Sequence, residues 1–173
     1  MIKKGVEEVM TKSSLVMKEM ILYFGNDTRR IHHFMKVFSY AKLIGEMEGL
    51  EKNKQELLEI AALTHDIGIK ISEEKYQSSS GEYQQIEGPP EAKKMLEQFK
   101  FEEDYIERIC YLIGHHHTYH EIDGLDYQIL VEADFLVNIA EDQMEQKAIL
   151  YCKDKIFKTK TGIELLESLN RQN

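Results

Sequence analysis

The chain has 173 residues, 42% of them hydrophobic and 31% charged, enough for one well-formed core and too few for two ordinary domains. Its 31 Asp and Glu outnumber 22 Lys and Arg, and the net charge of −9 excludes binding modes built on neutralising many phosphates of a long nucleic acid. With 2 prolines and no tryptophan, the composition favours helices and excludes a sandwich or barrel that needs many β-turns.

The opening Met1-Ile-Lys-Lys-Gly-Val-Glu-Glu carries carboxylates before any apolar stretch of signal-peptide length. The most apolar runs, Met20 to Phe24 and Ile109 to Ile113, fall far short of the ~20 residues of a membrane span, so a soluble, cytoplasmic protein without a membrane partner is expected. Cys110 and Cys152 form no CxxC pair, and two reduced thiols are expected rather than a disulfide framework or a thiolate zinc site.

In chain order, hydrophobic periodicity predicts about seven amphipathic helices in one all-α domain over residues 1–173. The first covers Val6 to Tyr23 and stops at Gly25-Asn26; Asp27 or Thr28 caps a second that runs to about Glu48 and ends at Gly49. Further helices fit Gln55 to His65, Pro90 to Phe99, Glu102 to His116, Tyr127 to about Cys152 with a break near Asp142, and Gly162 to Asn170. Pro90 suits a first helical turn, where its missing N–H costs nothing. Between Ile71 and Pro90 no period is sustained, and a long loop is expected there, either covering a site or running free over the surface.

Six of the seven histidines fall in three places: His32-His33, His65 before Asp66, and His115-His116-His117. His33, Val37, Ala41 and Ile44 share one helical row, so His33 faces inward and His32 points about 100° away. Leu58, Ala61, Ala62 and His65 form a second stripe. Tyr127, Leu130, Val131, Asp134 and Val137 form a third, with a carboxylate where a leucine belongs. A buried carboxylate without a cation costs several kcal/mol, and no Lys or Arg lies on these inner faces. A divalent metal satisfies two inward imidazoles together with Asp66 and Asp134, and a cysteine-free donor set suits Mn, Fe, Ni, Co or Zn, with a lean towards Mn or Fe.

The spacing His33…His65-Asp66…Asp134 resembles the HD-domain superfamily of metal-dependent phosphohydrolases. Ala61-Ala-Leu-Thr-His-Asp-Ile-Gly68 is similar to the family's small-apolar helix ending in HDIG, His33 to Ala41 matches HxxxVxxxA, and Val131-Glu-Ala-Asp134-Phe-Leu is like its last acidic segment. The resemblance spans about residues 27 to 140 and implies an HD-like helical bundle in which His33, His65, Asp66 and Asp134 hold one ion. Members with two ions add histidines before the last aspartate and after the His-Asp pair. Consecutive helical side chains diverge by about 100°, so at most two of His115, His116 and His117 converge; counting back from Asp134 favours His116 and then His115. At the other place this chain has Glu87, and one ion and two ions both stay open.

The resemblance implies hydrolysis of a small phosphorylated substrate, by preference a nucleotide. Asp66 would help orient or deprotonate the attacking water, and His116 or His115 would bind a second ion or donate to the phosphate. Arg30, Lys36 and Lys70, with Arg29, lie within a turn or so of these residues and are the candidate substrate cations; Tyr76 and Tyr83 are candidates to cover a base or sugar. A di-iron oxygenase and a non-catalytic nucleotide or metal sensor are the other readings of such a site. A homodimer is compatible with the sequence.

Overall fold

The computed structural model describes residues 11–170, and these form nine α-helices and one 3-10 turn with no strand among them. In order they are α1 (Lys12–Phe24), α2 (Thr28–Met47), α3 (Lys52–Thr64), α4 (Gly68–Tyr76), α5 (Gly81–Leu96), the 3-10 turn (Glu97–Phe99), α6 (Glu103–His115), α7 (Leu125–Glu141), α8 (Gln146–Lys155) and α9 (Lys160–Leu169). The part of the first expected helix before Thr11 lies outside the described residues.

Burial follows the apolar rows. On α2 the inward residues include Ile31, His33, Phe34, Val37, Ala41 and Ile44, while His32 is exposed. Helices α3 and α7 are buried nearly all round, from Leu57 to Thr64 and from Asp126 to Val137, as expected of elements at the centre of a bundle. Helix α2 packs on both, α1 closes one side of α3, and α5 lies between α4 and α6, of which α6 also packs on α3. The Asp27 side chain caps α2 by accepting from Arg30 N at 3.2 Å.

The expected loop between Ile71 and Pro90 is instead the end of α4 and most of α5, with only residues 77–80 between the two helices. The helical period is masked in the sequence because the inward row of α5 is polar or small: Gln84, Glu87, Gly88 and Ala92 precede Met95 and Leu96. Small residues are required where α4 and α5 cross. A Cβ on Gly68 would lie 2.6 Å from Gly88 N and 2.7 Å from Gln84 O, so only glycine permits this approach. Pro90 accordingly sits in the helix interior beside Pro89, not in a first turn. The corner is held by Gln84, whose amide donates to Ser79 O at 2.7 Å, and by Tyr76 stacked on Tyr83 at 4.1 Å. The break expected near Asp142 in the stretch from Tyr127 to Cys152 separates α7 from α8, at a turn in which Gln143 adopts a φ of 51°.

Candidate metal centre

Two helix ends set the geometry by the same local physics. A terminating helix leaves carbonyls without partners, and a histidine just past the end can fold back to satisfy one. His65, the residue after α3, donates from Nδ1 to Ala62 O at 2.8 Å; His116, the residue after α6, donates from Nδ1 to Ile113 O at 2.7 Å. Each bond selects the tautomer with a bare Nε2, and both Nε2 atoms are buried and point inward. His33 reaches the same place from the second turn of α2, with Nδ1 donating to Glu141 Oε2 at 2.9 Å. Asp66 follows His65 in the turn before α4, and Asp134 comes from α7.

The donor atoms converge. His33 Nε2 lies 3.3 Å from His65 Nε2, 3.5 Å from Asp66 Oδ2 and 3.2 Å from Asp134 Oδ1. His65 Nε2 lies 3.4 Å from Asp66 Oδ2 and 3.6 Å from Asp134 Oδ1. Ligands bonded at about 2.1 Å to one ion stand roughly 3 to 3.5 Å apart, so these spacings fit a shared cation. The other oxygen of Asp66, Oδ1, faces His116 Nε2 at 3.6 Å, and Asp66, His116 and His117 form a second group of mutually close donors. Asp134 Oδ1 and His116 Nε2 are buried and have no hydrogen-bond partner among the described residues. Such orphaned atoms are costly unless something binds them, and nitrogen and carboxylate donors together suit a divalent ion.

Charge balance points the same way. Burial opposes protonation of His65, but Asp66 and Asp134 outweigh it and raise its pKa to about 9; His33 is raised for the same reason. Burial likewise favours neutral carboxyls, yet the facing imidazoles hold Asp66 and Asp134 well below the usual carboxylate range. Without metal, the two aspartates thus favour protons on His33 and His65, in the position a cation would take. His117 is shifted the other way, pushed down to about 4 by burial and by neighbouring His116.

The structure brings together His33, His65, Asp66, Asp134 and His116, and it separates other residues from them. His115 ends α6 on another face: Nδ1 donates to Tyr111 O at 2.7 Å and the ring stacks on Tyr111 at 4.1 Å. The expected helix ran one residue too far; because α6 stops at His115, the chain turns and presents His116 and His117 instead. Tyr127 pins that turn, with its hydroxyl 2.6 Å from His115 O and 2.5 Å from Thr118 O. Glu87, offered as a ligand, accepts from Lys75 Nζ and Tyr76 OH, each at 2.7 Å, and is occupied there.

Sequence reasoning missed Glu141. Asp134, Asn138 and Glu141 follow the i, i+4, i+7 row of α7, a polar stripe that could have revealed it. Glu141 is paired with Lys36 as well as His33, and these two cations outweigh partial burial to keep its carboxyl ionised. A carboxylate behind a ligand histidine orients the ring and raises its basicity. Glu141→Ala is thus expected to weaken metal binding about 10–100-fold while the helical spectrum stays unchanged, as titration with Mn²⁺ would show.

Beside the donors opens a cleft of about 400 Å³ lined by Arg29, His33, Asp66, Ser79, Gln84 and Asn138 among others. Arg30 borders it but is committed to Asp27 at 2.9 Å and to Glu73 at 2.6 Å. Lys36 is spent on Glu141, and Lys70 donates to Tyr23 O at 3.3 Å over the Tyr23 ring.

The model of the HD domain matches residues 30–153 of this chain. The chain belongs to the HD-domain family. A crystal structure described as that of a predicted HD superfamily hydrolase from an uncultured Thermotogales bacterium superposes with a TM-score of 0.66 at 20% identity, covering 97% of this chain and 90% of that one. Among curated proteins none matches significantly. The all-helical HD fold thus carries the His/Asp cluster that fits a divalent metal, and no helix among the described residues is long and apolar enough to cross a membrane.

Proposed function

We propose that this HD-domain protein is a metal-dependent phosphohydrolase acting on a small phosphorylated molecule, with a nucleotide as the form the sequence favours. The observation that carries the reading is the convergence of imidazole and carboxylate donors, two of them buried without partners, beside an open polar cleft. His33, His65, Asp66 and Asp134 would hold a divalent ion, and Asp66, His116 and His117 would hold a second. A divalent ion bound there supplies Lewis acidity towards a phosphoryl oxygen and makes water a nucleophile near neutral pH.

The chain's own groups do the rest. Asp66 presents one oxygen to each donor group and is the carboxylate best placed to take a proton from attacking water. Glu141 and the Ala62 and Ile113 carbonyls keep the three imidazoles in the tautomer that directs Nε2 into the site. A net charge of −9 disfavours polymeric nucleic acid and suits a small substrate whose charge is met locally.

The test is metal analysis of protein purified without chelator, followed by phosphate release from a panel of nucleotides and phosphoesters with added Mn²⁺. Activity should vanish on chelation and fall at least about 100-fold in Asp66→Ala. Oxygen consumption with an organic substrate and no phosphate release would replace this reading by the oxygenase one.

A further inference from the structure

We propose that Arg29 is the anion-binding residue of the cleft and that it selects phosphomonoesters over phosphodiesters. The inference rests on the phosphohydrolase reading of the same site. Arg29 lies one helical turn before His33 on α2, so both side chains share a face, and both line the cleft together with Asp66. The other cations near the site are engaged: Arg30 with Asp27 and Glu73, Lys36 with Glu141, and Lys70 at Tyr23. Arg29 has no ion-pair or hydrogen-bond partner among the described residues, and it is exposed to the cleft's solvent.

Charge bookkeeping makes that guanidinium the distinctive feature. A divalent ion held by Asp66 and Asp134 is neutralised by its own ligands. Arg29 then brings positive charge to a cleft whose other ionic walls are the carboxylates of Asp27, Glu141 and Asp142 and the already paired Arg30. A guanidinium binds best as a fork that engages two oxygens at once. A phosphomonoester has three non-bridging oxygens, so two remain for the fork when one faces the ion; a diester has two and leaves one. The fork therefore discriminates by the number of free oxygens, which an ammonium group would not do.

Inorganic phosphate is the probe, titrated calorimetrically into Mn²⁺-loaded wild type, Arg29→Gln and Arg29→Lys. Glutamine is expected to weaken phosphate binding more than tenfold and lysine by less, with metal content and thermal midpoint unchanged because the side chain is exposed. In turnover, KM for p-nitrophenyl phosphate should rise in both variants while that for bis-p-nitrophenyl phosphate changes less than threefold. Phosphate affinity in Arg29→Gln within twofold of wild type overturns the assignment, as does a wild type that binds no phosphate. Equal effects on both esters overturn the selectivity. If phosphate binds through Arg29 but no ester is cleaved, the hydrolase reading fails and the anion site stands.

Discussion

Replacing Asp134 by alanine is expected to strip the protein of metal and abolish phosphate release while leaving a helical circular-dichroism spectrum. Asp134 Oδ1 is a buried oxygen with no hydrogen-bond partner, 3.2 Å from His33 Nε2 and 3.6 Å from His65 Nε2. Its loss removes a direct donor, so the effect on affinity should exceed the 10–100-fold typical of residues that merely orient ligands. The fold survives because the variant deletes a buried charge instead of stranding one; the two imidazoles can simply become neutral. The same pairing has a pH signature in metal-free protein. Asp66 and Asp134 raise His65 from 6.5 to about 9, so the stabilisation is complete below pH 6.5 and is lost as pH rises through 9. Thermal midpoints of metal-free wild type should fall across that interval, and those of Asp134→Ala should fall less. Full metal occupancy of the variant after dialysis would refute the assignment.

Glu132, two residues earlier on α7, is expected to behave in the opposite way, with a large loss of stability and normal metal content. It is completely buried, and its Oε1 accepts from Lys158 N at 2.6 Å, Thr159 N at 2.9 Å and Gln128 Nε2 at 2.7 Å, while Oε2 accepts from the Thr159 hydroxyl. Lys158 and Thr159 lie at the start of α9, where the helix dipole favours a negative charge, and Gln128 sits one turn back on α7. Fit is tight as well: a Cβ on Gly162 would come within 2.0 Å of Glu132 Oε2. Glu132→Ala strands these donors and leaves a void, at a cost of about 3–5 kcal/mol. A fall in Tm on the order of 10 °C should accompany it. Glutamine, which keeps one acceptor oxygen, should lose less. A change below about 1 kcal/mol in denaturant unfolding of the alanine variant would show that α9 is held by other contacts.

The pair Glu132 and Asp134 marks where legibility in the sequence ends. Helical periodicity alone places His33, His65 and Asp134 on inward faces, because a 3.6-residue repeat of apolar neighbours leaves them nowhere else to point. The need of a buried carboxylate for a positive partner is likewise a matter of elementary electrostatics, while the family is legible only through the resemblance of His33, His65-Asp66, Asp134 and their flanking residues to the HD motifs, which the family match bears out. Periodicity fails where the inward row is small or polar, as on α5, since close helix crossing at Gly68 and Gly88 substitutes for apolar bulk. What each buried group meets is settled only by packing between segments far apart in the chain. Two carboxylates on one helix thus diverge, one to cap α9 and one to face two imidazoles. Counting back from Asp134 favours His116, but only the end of α6 turns His115 away and His117 in. The polar row of α7 places Glu141 on the face of Asp134, but that it meets His33 and Lys36 is decided only by the packing of α2 on α7.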